Sequence, residues 1–119
     1  MSALFAPDYD DSKLPEPPAH TFVVLSRFTI GNDMAEAVHE AFSGRPHLVD
    51  SAQGFLGMQV MSPTDNPAEV WLVTRWTDEG SYRVWHRSHQ YHASHAGIPK
   101  GLKLIPRSAG VRFFEMFSE

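Results

Sequence analysis

Four histidines, His86, His89, His92 and His95, recur at every third position in one stretch of this chain of 119 residues. Imidazole is well suited to hold a transition metal or a haem iron near neutral pH. On a helix, residues three apart lie about 60° from one another, so adjacent pairs can share an ion but all four cannot converge on one. The stretch contains no acidic ligand and the chain contains no HExxH pattern, which leaves a zinc site made of histidine alone a weak reading. On a continuous helix Tyr82, Trp85, His89, His92 and Ala96 form the inward stripe. His95 falls on a flank with Tyr91 and Ser88, where the edge of a cleft would meet it. His86 falls with Arg83 and Gln90 on the polar side.

Ser26 is the one polar residue in the alternating row Phe22, Val24, Ser26, Phe28, Ile30. Two readings fit it: a buried serine bonded to nearby backbone, or a polar group placed in an otherwise apolar pocket. Trp76, in the row of Val70 and Leu72, is at a position where a tryptophan is more often core packing than the wall of a site, and periodicity alone does not separate the two. Charge is unevenly spread. No acid occurs between Glu79 and Glu115, yet Arg83, Arg87, Lys100, Lys103, Arg107 and Arg112 all fall there. That stretch is either a solvated basic face or a site for an anion such as a ligand carboxylate.

These residues need elements to position them. TFVVLSRFTI, from Thr21, alternates with period two and is rich in β-branched and aromatic residues, so it predicts a strand that ends at Gly31-Asn32. NDMAEAVHEAF predicts a helix with Asn32 as N-cap and Met34, Val38, Ala41 and Phe42 along one side. Gly44 and Pro46 interrupt it, and HLVDSA predicts a short further helical turn. GFLGMQVM and EVWLVTRW read as strands separated by the turn-rich SPTDNPA. TDEGSYRVWHRSHQYHASH predicts a second helix with Thr77 as N-cap and room for a kink near Ser88. The loop GIPKGLKLIP then leads to a last strand, AGVRFFEMF.

The order β-α-β-β-α-β is that of the ferredoxin-like α+β fold. Both faces of strands one and three are apolar: Val23, Leu25, Trp71 and Val73 lie opposite the rows already named. Two helices cover one face of such a sheet, so the other is expected to meet a second subunit in a homodimer, a dimeric α+β barrel.

Composition narrows the function classes. Residues 1–20 carry four prolines and a net charge of −3 of the total −4, and read as a flexible arm dispensable for folding. Residues 21–119 form the single domain that this length supports. The absence of cysteine excludes disulfides, Cys-zinc sites, iron–sulfur clusters and thiol catalysis. No apolar run approaches a membrane span and no signal-peptide pattern opens the chain, so a cytoplasmic protein is expected. No nucleic-acid motif appears and the net charge is acidic, so no nucleic-acid partner is expected.

From FVVLSRFTI through GFLGMQVM and VTRW to W-x-x-S-x-x-Y-x-x-S-H, about Thr21 to Phe117, the chain resembles the antibiotic biosynthesis monooxygenase superfamily. Within it the sequence looks most like the bacterial haem-degrading monooxygenases of the iron-acquisition type. The resemblance implies an enzyme for which haem is both substrate and cofactor, with O2, an external electron donor and an unidentified reductase also needed. His95 matches the haem-ligating histidine, and Trp76 matches the tryptophan that presses on the macrocycle and helps distort it. Phe42 and Arg45 fall where helix-one residues contact haem, Tyr91 lies beside the ligand position, and basic residues at the mouth would meet the propionates. Ser26 stands where the family carries a distal asparagine. Serine is shorter and would order a distal oxygen or water only through a bridging water. Two alternatives stay open: a cofactor-independent monooxygenase of the same superfamily acting on a quinol or polyketide, and a non-catalytic module that binds haem or another small hydrophobic ligand.

Overall fold

A computed structural model describes residues 20–45, 47–88, 91 and 98–118. The elements are β1 (Thr21–Thr29), α1 (Ala35–Ser43), a 3-10 turn (Leu48–Ser51), β2 (Phe55–Met61), β3 (Glu69–Trp76), α2 (Glu79–His86) and β4 (Gly110–Met116). The strands form one antiparallel sheet in the order β2-β3-β1-β4. This is the α+β ferredoxin-like arrangement expected from the element order.

Register decides which side chains meet the helices. Phe22 lies opposite Trp76, Val24 opposite Thr74, Ser26 opposite Leu72 and Phe28 opposite Val70. Across the other edge of β1, Val24 faces Phe113 and Ser26 faces Val111. Paired residues share a face, so these form one continuous row against α1 and α2. Two small cores result on that side. One joins Val24, Val49, Trp76, Tyr82 and Trp85; the other joins Ile30, Val38 and Val70, with Met34, Phe42 and Leu102 packed on it.

Both expected helix caps are displaced, each for a local reason. Asn32 does not cap α1, whose N-cap position is Met34 with no side-chain bond. Its amide is spent instead on the carbonyl of Gly101, 2.9 Å away. That bond belongs to the loop before β4, which crosses the end of β1 through Gly31 N–H to Lys103 O (2.7 Å) and Ile105 N–H to Thr29 O (2.8 Å). A Cβ on Gly31 would sit 3.3 Å from the backbone of Leu104 and Ile105, so glycine suits this close approach. At α2 the cap is Asp78, one residue after Thr77: its carboxylate accepts the Ser81 N–H at 2.7 Å. Aspartate caps slightly better than threonine, and here it takes the extended backbone that a cap requires.

α2 is also shorter than its pattern predicts. It ends at His86, where Ser88 Oγ donates to Trp85 O at 2.6 Å and in turn accepts the Tyr91 N–H at 3.1 Å. The serine thus draws the chain out of the helical path. The kink allowed near Ser88 is present as a helix end, so α2 itself carries Tyr82 and Trp85 of the inward stripe, while His89, His92 and Ala96 lie outside the described residues. Tyr82 and Trp85, the first two members of the stripe, are buried as expected.

The opposite sheet face carries Val23, Leu25, Arg27, Trp71, Val73, Arg75 and Phe114. Trp71 donates its indole N–H to Glu69 and lies under the Arg27 guanidinium, 5.9 Å from the ring centre. No helix of the described residues lies over this face, nor is any long and apolar enough to cross a membrane. The arm expected over residues 1–20 lies outside the described residues, apart from His20, whose ring contacts Glu115 on β4.

Candidate functional site

Between the helix-side row of the sheet and the two helices lies a cavity of about 640 Å³. That size falls within the roughly 300–1,000 Å³ usual for small-molecule sites. β1 contributes Val24, Ser26 and Phe28, β3 contributes Leu72, Thr74 and Trp76, and α2 contributes Tyr82, Trp85 and His86. Phe42 from α1, Arg45 and His47 after it, and Leu102 and Leu104 before β4 also line the cavity. The lining is predominantly apolar and aromatic.

Ser26 lines this wall and is only half-buried. Its hydroxyl makes no hydrogen bond among the described residues, unlike a serine satisfied by its own backbone. Trp76 is 1% exposed. Its ring meets Phe55 and Tyr82 edge-on at centroid distances of 5.4 and 5.8 Å, and its N–H donates to Thr74 Oγ1 at 3.0 Å. Packing and wall are therefore one role here: the indole is locked in place and shows the cavity only a sliver of its surface. Burial pushes the Tyr82 phenol above its usual range, with a smaller like-charge contribution from Tyr91.

Phe42, Arg45 and Tyr91 line the same cavity. Tyr91 packs on His86 at 4.5 Å and edge-on to Trp85 at 6.3 Å between ring centres. His95 lies outside the described residues, as do His89 and His92. Among the described residues no three of His, Cys, Asp or Glu come together as a metal site.

His86 is exposed, like Arg83 three residues before it, and its ring also stands at the cavity wall between Tyr82 (5.6 Å) and Tyr91. The helix end that follows it turns Tyr91 back toward α2, which a continuous helical pattern could not show. None of Arg83, Arg87, Lys100, Lys103, Arg107 and Arg112 lines the cavity. Arg83 is held by Glu79 at 3.2 Å and lies 4.8 Å over Phe113, and Arg112 lies 5.3 Å over Phe114. Among the described residues, Arg45 is the Lys or Arg that lines the wall. His47 and Thr74 were not singled out in the sequence; Thr74 shares the parity of Leu72 and Trp76, a signal that was available.

Residues 21–97 match the family model described as antibiotic biosynthesis monooxygenase, and the chain belongs to that family. A mycobilin-producing haem oxygenase of Mycobacterium tuberculosis is 30% identical over 60 residues, which cover 50% of this chain and 56% of that protein. The match therefore spans little more than half of that relative. Among solved structures, the haem degrader MhuD of M. tuberculosis, with two haems bound in its active site, superposes with a TM-score of 0.66 and 22% identity, covering 82% of this chain and 97% of MhuD. SnoaB, a cofactor-independent oxygenase from Streptomyces nogalater, superposes at 0.64 with 14% identity, covering 81% and 92%. At these identities the structural likeness establishes the shared fold.

Proposed function

We propose that this protein is a haem-degrading monooxygenase that opens the macrocycle oxidatively and releases its iron. The observation that carries this reading is the aromatic-walled cavity on the helix side of the sheet, with Arg45 at its wall. Its apolar walls suit the body of a porphyrin, and the guanidinium suits a carboxylate at the porphyrin edge. Bound haem would supply the iron that activates O2 and would itself be the molecule oxidised, with electrons from an external donor and reductase. The chain's own residues then bind and orient it. Trp76, clamped by Phe55, Tyr82 and Thr74, would provide an unyielding surface for the macrocycle; Phe42 would pack against its apolar body; and His95 would hold the iron through its imidazole. Ser26, whose hydroxyl is uncommitted among the described residues, holds a water in the cavity. A second copy covers the outer sheet face, and the assembly acts in the cytoplasm.

The test is a hemin titration followed by reduction. One hemin per subunit should give a sharp Soret shift, and ascorbate or a reductase system in air should then bleach it. Binding without bleaching would leave a haem-binding module. No binding at all would favour metal-free oxygenation of a quinol or polyketide. Ser26 in place of the distal asparagine supports that second reading.

A further inference from the structure

We propose that Asp50 is the exchangeable counter-ion of Arg45, retained by His47 when it is released, so that the cavity selects a flat apolar ligand bearing a carboxylate at its edge. This inference rests on the proposed function and adds the residue that sets its selectivity. The Arg45 side chain is 20% exposed and lines the cavity, yet its nearest acid, Asp50 Oδ1, stands 3.7 Å away. That separation exceeds hydrogen-bond distance. The guanidinium makes no hydrogen bond among the described residues, although it has five N–H groups to donate. A largely buried cation in this state has lost water without gaining full replacement, and an acceptor entering the cavity would restore it. Glu40, the acid that lines the wall, is exposed and forms no ion pair with Arg45 among the described residues.

Asp50 is built to let go. It is half exposed and does not line the cavity, so it draws the guanidinium toward solvent. Its second oxygen, Oδ2, lies 3.2 Å from His47 Nδ1, so the carboxylate keeps a partner when Arg45 turns to a ligand. The chain fixes this spacing. His47 takes a left-handed backbone (φ 56°), and its carbonyl accepts the Asp50 N–H at 3.1 Å in the 3-10 turn. Since Arg45 is the Lys or Arg lining the cavity among the described residues, one carboxylate is recognised at this point, and the rest of the ligand meets apolar wall.

The experiment measures quenching of tryptophan fluorescence by metal-free protoporphyrin IX and by its dimethyl ester, in the full-length chain. Asp50→Asn preserves size and the turn while removing the competing charge. It should tighten the diacid about fivefold, the upper end for a half-exposed ion pair, and leave the ester unchanged. Arg45→Gln should weaken the diacid and abolish the gain from Asp50→Asn in the double variant. Equal effects on diacid and ester, or a gain that persists without Arg45, would overturn the counter-ion role while leaving the porphyrin reading intact. If neither porphyrin binds the parent protein, the functional reading fails and this inference fails with it.

Discussion

The bond from the Trp76 indole N–H to Thr74 Oγ1 makes the cavity wall testable by a double-mutant cycle. Both residues belong to β3 and point to the helix side two positions apart, joined at 3.0 Å. Trp76→Phe keeps an aromatic ring against Phe55 and Tyr82 but removes part of a side chain that is 1% exposed. Lost packing should cost about 1–2 kcal/mol and the lost bond about 1 more, for a total of about 2–3 kcal/mol. Thr74→Val keeps the β-branched shape that the strand favours but strands a buried N–H, at about 1–2 kcal/mol. The two losses share one bond, so the double variant should fall about 1 kcal/mol short of their sum. Urea unfolding at one fixed protein concentration measures all four proteins and keeps any contribution from assembly constant. Additivity to within about 0.3 kcal/mol would refute the reasoning, because the bond would then contribute nothing to holding the indole.

His95→Ala should abolish a histidine-ligated haem spectrum while His86→Ala leaves it nearly intact; the reverse result would move the ligand to the end of α2. Ser26→Asn should raise the rate of hemin bleaching without changing hemin affinity, and an unchanged rate would remove Ser26 from the distal role. Val73→Glu, which places a charge on the outer sheet face, should turn a sedimenting dimer into a folded monomer; a parent protein that already sediments as a monomer would refute the assembly. The Ser81 N–H, with smaller help from the Ser81 and Thr77 hydroxyls, holds the Asp78 carboxyl below the usual carboxylate range. Because the folded-state pKa is the lower one, this cap stabilises the fold above the ordinary carboxylate range and stops doing so as pH falls through the depressed value. Urea midpoints should therefore separate Asp78→Ala from the parent at neutral pH and converge in acid; a gap that persists in acid would contradict the charge-based cap.

What the sequence determined by itself was whatever depends on neighbours along the chain. Period-two rows determined the facing residues of β1 and β3, because adjacent side chains of a strand must point to opposite faces, whereas the bulge between Phe55 and Gly57 shifts the parity of β2. The row Phe22, Val24, Ser26 and Phe28 meets the helices as read, and Ser26 reaches the cavity with Trp76, Phe42, Arg45 and Tyr91. The tertiary structure decided where polar groups found partners distant in sequence. Asn32 has the chemistry of a cap, but the loop before β4 brings the Gly101 carbonyl within its reach, 69 residues further on. His86 has the spacing of a polar face, but Ser88 bonds back to Trp85 and on to Tyr91, ending α2 and turning a second ring onto the imidazole. The six cations between Glu79 and Glu115 are adjacent to one another only along the chain. Folding sets Arg83 over Phe113 and Arg112 over Phe114, and Arg45, from outside that stretch, is the Lys or Arg that lines the cavity among the described residues. Charge density along a sequence says how much charge there is, whereas a binding site depends on where each charge is aimed, and that is set by packing between elements.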